Sequence, residues 1–245
     1  MRGASPCAPA AAESDVAEAR IIGASEKAVP AHGMTKLQLT ALAPIAKGYH
    51  RYVYAHPQAA GLLVKVMRPD TVAERWNAPR RWYKRLSRTR EYTGYVRELK
   101  EYVAVRARSD AADLAIAAAV GVIETDLGLG LVVDCISAPD GGLAPTLDKR
   151  VRNEGLSEEI VWELDALLAR LLRDEVILAD LHPWNIVFGG NLGETPRFIL
   201  IDGYGDKHAI PYCSMSRILN RHNTRRLYRK LLARVRAIAS SKPAA

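Results

Sequence analysis

The stretch that most constrains the fold is residues 177–188, I-L-A-D-L-H-P-W-N-I-V-F. It holds two polar side chains five positions apart, Asp180 and Asn185. A second carboxylate, Asp202, follows seventeen residues after Asn185, at the end of the apolar run 198–201. Carboxylate and amide oxygens suit Mg²⁺, a hard ion whose octahedron is completed by water and phosphate. The segment therefore predicts a loop and a strand end whose oxygen ligands converge on one cation.

The order and spacing of these residues match the layout of a kinase catalytic loop followed by a metal-binding aspartate. In that chemistry Asp180 orients the attacking hydroxyl and accepts its proton, while Asn185 and Asp202 hold Mg²⁺ against the nucleotide phosphates. Taken alone, Asp180 and Asn185 also fit ordinary turn positions. A kinase-like fold requires in addition an upstream lysine on a strand and a glutamate on a helix.

The lysine candidate is Lys65, which lies inside the predicted apolar strand 62–67. Burying an unpaired ammonium is costly, so Lys65 needs a partner unless it points to solvent from an edge strand. The sequence V-K-V resembles the V-A-I-K strand, where the lysine bridges nucleotide phosphates and a helix glutamate. The helix predicted at 91–107 supplies Glu98, our first choice of partner, and Glu101, our second.

The turn around Gly48 and Tyr49 is the candidate phosphate loop, and with Lys65 these residues are the predicted nucleotide-binding set. In a kinase-like lobe its backbone N–H groups would cover the phosphates. It contains one glycine and no G-x-G-x-x-G, so a plain hairpin turn fits the sequence equally well. Strands are predicted on both sides of the turn, at 37–46 and 51–54.

The remaining pattern divides the chain into two lobes, and both ends of the chain have a biased amino-acid composition. A hairpin is predicted at 120–125 and 129–136, and the Pro/Gly-containing link 137–142 is the natural hinge. The organisation is a disordered leader at 1–34, a β-rich lobe at 35–137, a helical lobe with the catalytic loop at 138–240, and a disordered tail at 241–245.

The second lobe is predicted to be mostly helical. Ser157 is the N-cap of a strong helix with acidic residues in its first turn. Its apolar stripe consists of Ile160, Leu164, Leu167, Leu168, Leu171 and Leu172. A basic amphipathic helix or helix pair is predicted at 215–238. Its expected apolar face consists of Ile218, Leu219, Leu227, Leu231, Val235 and Ile238.

The charge of the chain is unevenly distributed. The total is +8, but ten Lys/Arg and no Asp/Glu occur from Lys207 onward, so the remaining chain carries a net charge of −2. A second basic cluster lies at 75–90. Such patches suit peripheral contact with an anionic membrane surface, or they are solvated helix faces. Since no nucleic-acid motif is present, no specific nucleic-acid partner is expected.

The cysteine count and the hydropathy pattern bear on the compartment. The three cysteines are widely spaced and odd in number, which argues against a disulfide framework or a zinc site and favours a reducing cytoplasm. No apolar run reaches the roughly 18 residues that span a bilayer. The N-terminus lacks the apolar segment of a secretory signal, so a cytoplasmic location is expected.

Taken together, these residues resemble the YrbL family, PhoP regulatory network proteins of the kinase-like superfamily, from about residue 40 to 230. The motifs that carry the resemblance are Y-A-H-P (54–57), V-K-V (64–66), R-E-L-K-E-Y (97–102), G-V-I-E-T-D-x-G-x-G (121–130), L-H-P-W-N-I-V (181–187) and I-D-G-Y-G (201–205). The resemblance implies an α+β, two-lobed protein-kinase-like fold, with an antiparallel β-lobe plus helix and a reduced, mostly helical second lobe. The loop D-L-H-P-W-N is also similar to that of aminoglycoside phosphotransferases and lipopolysaccharide-core kinases.

The resemblance also implies an activity. Lys65 and Glu98 are expected to form an ion pair, Asp180 to be the base, and Asn185 and Asp202 to bind Mg²⁺. The implied function is an ATP- and Mg²⁺-dependent phosphotransferase whose acceptor is a small molecule or an envelope glycolipid.

Three departures favour an alternative, a non-catalytic regulatory protein that binds nucleotide. Leu178 occupies the place of the histidine that usually stands two residues before the catalytic aspartate, Gly203 replaces the phenylalanine of D-F-G, and the glycine loop is thin. The 43 residues after Asp202 contain no A-P-E sequence, so a peptide-docking platform and a protein substrate are not expected.

Overall fold

The computed structural model describes residues 36–48, 50–70, 89–191, 194–207 and 212–241. All of them belong to one compact unit. The predicted leader 1–34, Tyr49, residues 75–88 of the second basic cluster and most of the predicted tail lie outside the described residues.

A five-stranded antiparallel sheet forms the first part of the described chain, in the order β1-β2-β3-β5-β4. Its strands are β1 (Ala46–Lys47), β2 (Arg51–Ala55), β3 (Leu62–Met67), β4 (Ala119–Thr125) and β5 (Gly128–Asp134). Strand β3 lies between two neighbours, because Lys65 faces Val53 on β2 and Leu131 on β5. Lys65 is therefore on an interior strand, and the edge-strand alternative is wrong.

The predicted strand at 37–46 is wrong. Only a single bridge forms there, between Leu37 and Thr125, and β1 begins at Ala46. The backbone N–H groups of Leu39 and Thr40 donate instead to the Asp126 carboxylate, at 2.8 and 3.0 Å. A side chain thus takes hydrogen bonds that a strand neighbour would otherwise accept.

Helix α1 (Thr93–Arg106) follows a 3₁₀ turn at Arg90–Tyr92 and packs on the sheet. One apolar cluster joins the two, built from Met67, Tyr95, Leu131 and Val133. The buried Tyr95 hydroxyl also donates to the Lys65 carbonyl oxygen at 2.8 Å. These contacts fix the helix that carries Glu98 against the strand that carries Lys65.

The rest of the described chain is mostly helical. Its helices are α2 (Leu147–Glu154), α3 (Glu158–Arg173), α4 (Tyr212–Met215) and α5 (Arg217–Ser240), and its short antiparallel hairpin is β6 (Ile186–Gly189) with β7 (Arg197–Leu200). The Ser157 hydroxyl accepts a hydrogen bond from the Ile160 N–H at 3.2 Å, as its N-cap position predicts. The predicted α+β class is confirmed.

The two long helices differ in how well the sequence predicts their buried faces. On α3 the residues Ile160, Leu164, Leu167 and Leu171 are buried, as predicted. On α5 the residues Leu227, Leu231 and Val235 are buried, Ile238 is half-buried, and Ile218 and Leu219 are 80% and 47% exposed. The predicted apolar face is therefore wrong at its first turn. Polar side chains are buried there instead, namely Asn220, Asn223 and Thr224.

None of the helices in the described ranges combines enough length with enough apolar character to span a bilayer.

Candidate active site

Lys65 and Glu98 meet between the sheet and α1. The Lys65 Nζ lies 3.6 Å from the Glu98 Oε2, and Glu98 is fully buried. That Oε2 atom accepts no hydrogen bond, so the nearby ammonium balances its charge. Glu101, the second choice of partner, points elsewhere: its Oε1 accepts a hydrogen bond from the Ile177 N–H at 2.7 Å.

Lys65 is also tied to the strand end that carries Asp202. Its Nζ donates to the Ile201 carbonyl oxygen at 2.6 Å. The residue before the candidate metal ligand therefore contacts the lysine directly. The sheet and the helical part of the chain thus share one polar site.

The catalytic loop and the Asp202 turn are held together by backbone hydrogen bonds. The N–H groups of Ala179 and Asp180 both donate to the Gly203 carbonyl oxygen at 2.9 Å. The Ile201 N–H donates to the Asn185 carbonyl oxygen at 2.8 Å. Asp180, Asn185 and Asp202 are thereby fixed in one region, although they come from two separate segments.

Asp202 carries a negative charge that its surroundings stabilise. Burial alone would raise the pKa of this carboxyl, but the Lys65 ammonium and the Arg51 guanidinium outweigh it and lower the pKa below its usual value. The Oδ1 atom accepts a hydrogen bond from the Gly203 N–H at 2.6 Å. Since the side chain remains 38% exposed, the carboxylate can still reach a cation.

Asp180 faces the open side of the loop. Its Oδ1 accepts a hydrogen bond from the Leu181 N–H at 2.9 Å and lies 3.7 Å from the Arg234 Nη1. The side chain is 46% exposed, so an acceptor hydroxyl could approach it.

An aromatic pair lies beside Asp180. His182 stacks on the exposed Trp184 with ring centroids 3.3 Å apart. Burial, together with the Arg234 guanidinium, lowers the pKa of His182, so this ring is neutral at pH 7. The stack gives the site an apolar wall next to a carboxylate.

Of the two glycine-loop candidates, Gly48 lies among the described residues. The Gly48 N–H donates to the Arg51 carbonyl oxygen at 2.8 Å and so closes the turn between β1 and β2. This N–H group is therefore engaged, as in a plain hairpin turn. Tyr49 lies outside the described residues.

The described residues contain no cluster of three or more His, Cys, Asp or Glu that could hold a metal. Asn185 and Asp202 offer two oxygen ligands. Two protein ligands suit Mg²⁺, which keeps several waters and takes further oxygens from phosphates. The donor set therefore fits a magnesium ion that arrives with a nucleotide.

Comparison with known proteins identifies the family of the chain. The family model described as "PhoP regulatory network protein YrbL" matches residues 37–236. The chain belongs to this YrbL family. Relatives printed as "Uncharacterized protein YrbL" from Escherichia coli strain K12 and from Shigella flexneri are each 25% identical over 203 residues, covering 80% of this chain and 87% of the relative.

Among solved structures, two forms of the Mycobacterium tuberculosis PknI kinase domain are similar to this member of the YrbL family. The double mutant is 19% identical with a TM-score of 0.42, and the single mutant is 16% identical with a TM-score of 0.40. Each match covers 65% of this chain, which spans 56% and 57% of the respective kinase chains.

The E-T-D-x-G-x-G motif at 124–130 has a structural role. It forms the β4–β5 hairpin, where the Thr125 hydroxyl donates to the Gly128 carbonyl oxygen at 2.6 Å. Its Asp126 carboxylate holds the backbone of Leu39 and Thr40. The motif thus anchors the incoming chain to the sheet and contributes no group to the polar site.

The departure at Gly203 has a steric cause. Its φ is +88°, a conformation that glycine adopts without strain. A Cβ atom there would lie 2.6 Å from the Asp180 carbonyl oxygen and 3.1 Å from the Asn185 Nδ2. A phenylalanine does not fit, and the aromatic side chain follows one residue later as the fully buried Tyr204.

Leu178, which stands where a histidine is usual, lies in a segment whose backbone accepts hydrogen bonds from side chains of α5. The Asn223 Nδ2 donates to the Leu178 carbonyl oxygen at 3.2 Å, and the Asn220 Nδ2 donates to that of Glu175 at 2.9 Å. The Arg234 Nη1 donates to the Leu181 carbonyl oxygen at 3.1 Å. Three side chains of one helix therefore hold the backbone at the start of the candidate catalytic loop and just before it. Sequence reasoning missed all three, because polar residues on a basic helix look like solvent-facing positions.

Sequence reasoning also missed Arg51. Its Nη1 lies 2.6 Å from the Glu98 Oε1 and 3.9 Å from the Asp202 Oδ2, and its guanidinium stacks 5.0 Å from the Tyr95 ring centroid. An arginine at the start of a strand reads as a surface residue. The only available signal was its position, immediately after the candidate phosphate turn.

Proposed function

We propose that this YrbL-family protein is an ATP- and Mg²⁺-dependent phosphotransferase of the cytoplasm, acting on a hydroxyl group of a small molecule or an envelope glycolipid. The observation that carries the proposal is the hydrogen bond from Lys65 to the Ile201 carbonyl oxygen. It joins the Lys65–Glu98 pair to the segment that bears Asp202, beside Asn185 and Asp180.

Each residue of the set has a role in the proposal. Asn185 and Asp202 would hold the magnesium ion, which when bound neutralises charge on the nucleotide phosphates. Lys65 binds the phosphates, and the buried Glu98 keeps its ammonium in place. Phosphoryl transfer depends chiefly on such positioning and electrostatic stabilisation.

Asp180 orients the acceptor hydroxyl and takes its proton. Its partial exposure and its position beside the His182–Trp184 stack support this role. Helix α5 packs on the candidate catalytic loop, where the Asn223 Nδ2 donates to the Leu178 carbonyl oxygen. This packing beside Asp180 favours a small acceptor group over a folded protein.

The test is an ATP-turnover screen with sugar, glycolipid and aminoglycoside acceptors, run on the wild type and on Asp180→Asn. The variant keeps the size of the side chain and removes the proton acceptor. We expect it to lose most turnover while its Mg·ATP affinity stays within a few-fold of the wild type. Turnover by Asp180→Asn at the wild-type rate would show that Asp180 is not catalytic.

A second function, nucleotide binding without turnover, is favoured by two specific observations. Leu178 stands where a polar loop residue is usual, and the Gly48 N–H is engaged within its own turn. A protein of this kind would bind ATP with normal affinity and phosphorylate none of the acceptors in the screen. That outcome would make the regulatory function the better account.

A further inference from the structure

Two cations converge on one buried carboxylate at the polar site. Glu98 is paired with both Arg51 and Lys65, and its closer partner is Arg51, at 2.6 Å against 3.6 Å. The Arg51 side chain is only 14% exposed, and its Nη1 also approaches the Asp202 Oδ2. The guanidinium therefore points into the site although Arg51 is the first residue of β2, next to the turn.

A purely structural role accounts for a hydrogen bond from only one nitrogen atom of this side chain. Among the described residues, Nη1 is the only nitrogen of Arg51 that donates a hydrogen bond to a protein acceptor. An arginine offers five N–H donors in a rigid fork that matches phosphate geometry. Partial burial of such a group is costly unless its remaining donors find partners.

The adjacent turn contains one glycine, and the N–H of this Gly48 donates to the Arg51 carbonyl oxygen. Among the described residues of the turn, this N–H is therefore engaged and does not serve a phosphate. We propose that Arg51 is a phosphate-binding residue of the nucleotide site and supplies donors that a glycine-rich loop would otherwise provide. This inference rests on the proposed nucleotide binding and adds a residue to it.

The test is calorimetric titration of the full chain with Mg·ATP and, separately, with adenosine. The variants are Arg51→Gln, Arg51→Lys and the charge-matched control Arg106→Gln, whose side chain is exposed at the end of α1. A charged phosphate contact contributes about 1.5–3 kcal/mol, so Arg51→Gln should weaken ATP binding by about tenfold or more. Arg51→Lys should fall between Arg51→Gln and the wild type.

Adenosine separates a phosphate contact from a structural effect. Adenosine affinity should be unchanged in all three variants, and Arg106→Gln should bind ATP like the wild type. Equal losses for ATP and adenosine, or unchanged ATP affinity in Arg51→Gln and Arg51→Lys, would overturn the inference while leaving the proposed function intact. If the wild type binds no ATP, the proposed function fails, and the inference with it.

A separate observation concerns the outer face of α5, defined as Arg221, His222, Arg225, Arg229 and Arg236. These side chains are exposed, and their spacing of mostly three and four residues places them along one side of the helix. Residues 212–241 contain no Asp or Glu. At the N-terminal end of this face, Met215, Ile218 and Leu219 are exposed, the first two by 77% and 80%.

We infer that the outer face of α5 docks on an anionic phospholipid bilayer. Each Lys or Arg near such a surface is attracted by the anionic headgroups, and exposed apolar side chains enter the interface between headgroups and acyl chains. A nucleic acid would use the arginines but give Met215 and Ile218 no apolar environment. The inner face of the same helix holds the catalytic loop, so docking would bring the site close to the bilayer.

The test is co-sedimentation with vesicles of phosphatidylcholine alone or mixed with phosphatidylglycerol. Binding should occur only to the anionic vesicles. It should fall at least tenfold in Arg221→Gln/Arg225→Gln/Arg229→Gln, which loses three cations, and severalfold in Ile218→Ser/Leu219→Ser, which loses apolar side chains. The conservative variant Arg221→Lys/Arg225→Lys/Arg229→Lys should bind like the wild type. Absence of vesicle binding, or binding only to a random DNA duplex, would overturn the inference.

Discussion

Gly203→Ala is the substitution whose effect follows most directly from the backbone of the site. Gly203 has a φ of +88°, and an added Cβ would lie 2.6 Å from the Asp180 carbonyl oxygen. Forcing a side chain into this left-handed region costs about 1–2 kcal/mol. Overpacking against backbone adds about 1–3 kcal/mol. We therefore expect a loss of about 2–5 kcal/mol in the free energy of unfolding.

The chain offers a matched control in Gly61, which has a φ of +76° and no atom within 4 Å of an added Cβ. Gly61→Ala should cost only the conformational part, about 1–2 kcal/mol. Urea denaturation of both variants measures the difference, which isolates the contact with the catalytic loop. Because that contact displaces Asp180 or Asn185, only Gly203→Ala should also weaken Mg·ATP binding. Equal destabilisation of the two variants would refute the reasoning.

Three further substitutions test individual contacts. Glu98→Ala leaves Arg51 and Lys65 without their buried partner and should lower the free energy of unfolding by about 3–5 kcal/mol in denaturant titrations; a loss below about 1 kcal/mol would contradict a buried ion cluster. Asn223→Ala leaves the buried Leu178 carbonyl oxygen unpaired and should cost about 1–3 kcal/mol, whereas the exposed neighbour change His222→Ala should cost less than about 0.5 kcal/mol. Glu101→Gln tests a pH dependence. Burial raises the pKa of Glu101 above its usual 4.5, although the Ile177 N–H acts in the opposite direction. The stability that this acid contributes is therefore fully present below pH 4.5 and is lost as the pH rises through the raised pKa. Glutamine keeps an acceptor and cannot ionise, so the stability of Glu101→Gln relative to the wild type should rise as the pH increases above the usual 4.5 of a glutamate; a constant difference would contradict the burial effect.

The elements of the fold follow from local signals that the sequence contains. The apolar run around Lys65 specifies strand β3, and Ser157 with the acidic residues after it marks the start of α3. The stretch 37–46 looked like a strand because its polarity alternates. The N–H groups of Leu39 and Thr40 donate to the Asp126 side chain, which is 87 residues from Leu39, and no local pattern indicates such a distant acceptor.

Contacts between residues distant in sequence also limit what can be predicted about the candidate site. The spacing of Asp180, Asn185 and Asp202 predicts that they belong to one site, and backbone hydrogen bonds join the two segments that carry them. The supports of that site come from elsewhere, namely Arg51 from the turn and Asn223 from α5. Their polarity suggests solvent, and only the partner they meet in three dimensions explains their burial.

The first turn of α5 illustrates the physical reason. An apolar face at Ile218 and Leu219 would be expected from periodicity alone. The segment that faces this turn is loop backbone, whose carbonyl groups have no partner within the loop. Buried carbonyl groups need hydrogen-bond donors. Asn220 and Asn223 supply them, so the helix turns its amides inward and its apolar side chains outward.

The central claim is that ATP binds at this site together with Mg²⁺. Calorimetric titration of ATP in the presence and absence of Mg²⁺, on the wild type and on Asp202→Ala, tests it most directly. We expect the wild type to bind ATP more tightly with Mg²⁺, and Asp202→Ala to lose most of that Mg²⁺ dependence while it stays folded. Equal affinity of the wild type for ATP with and without Mg²⁺ would contradict the claim.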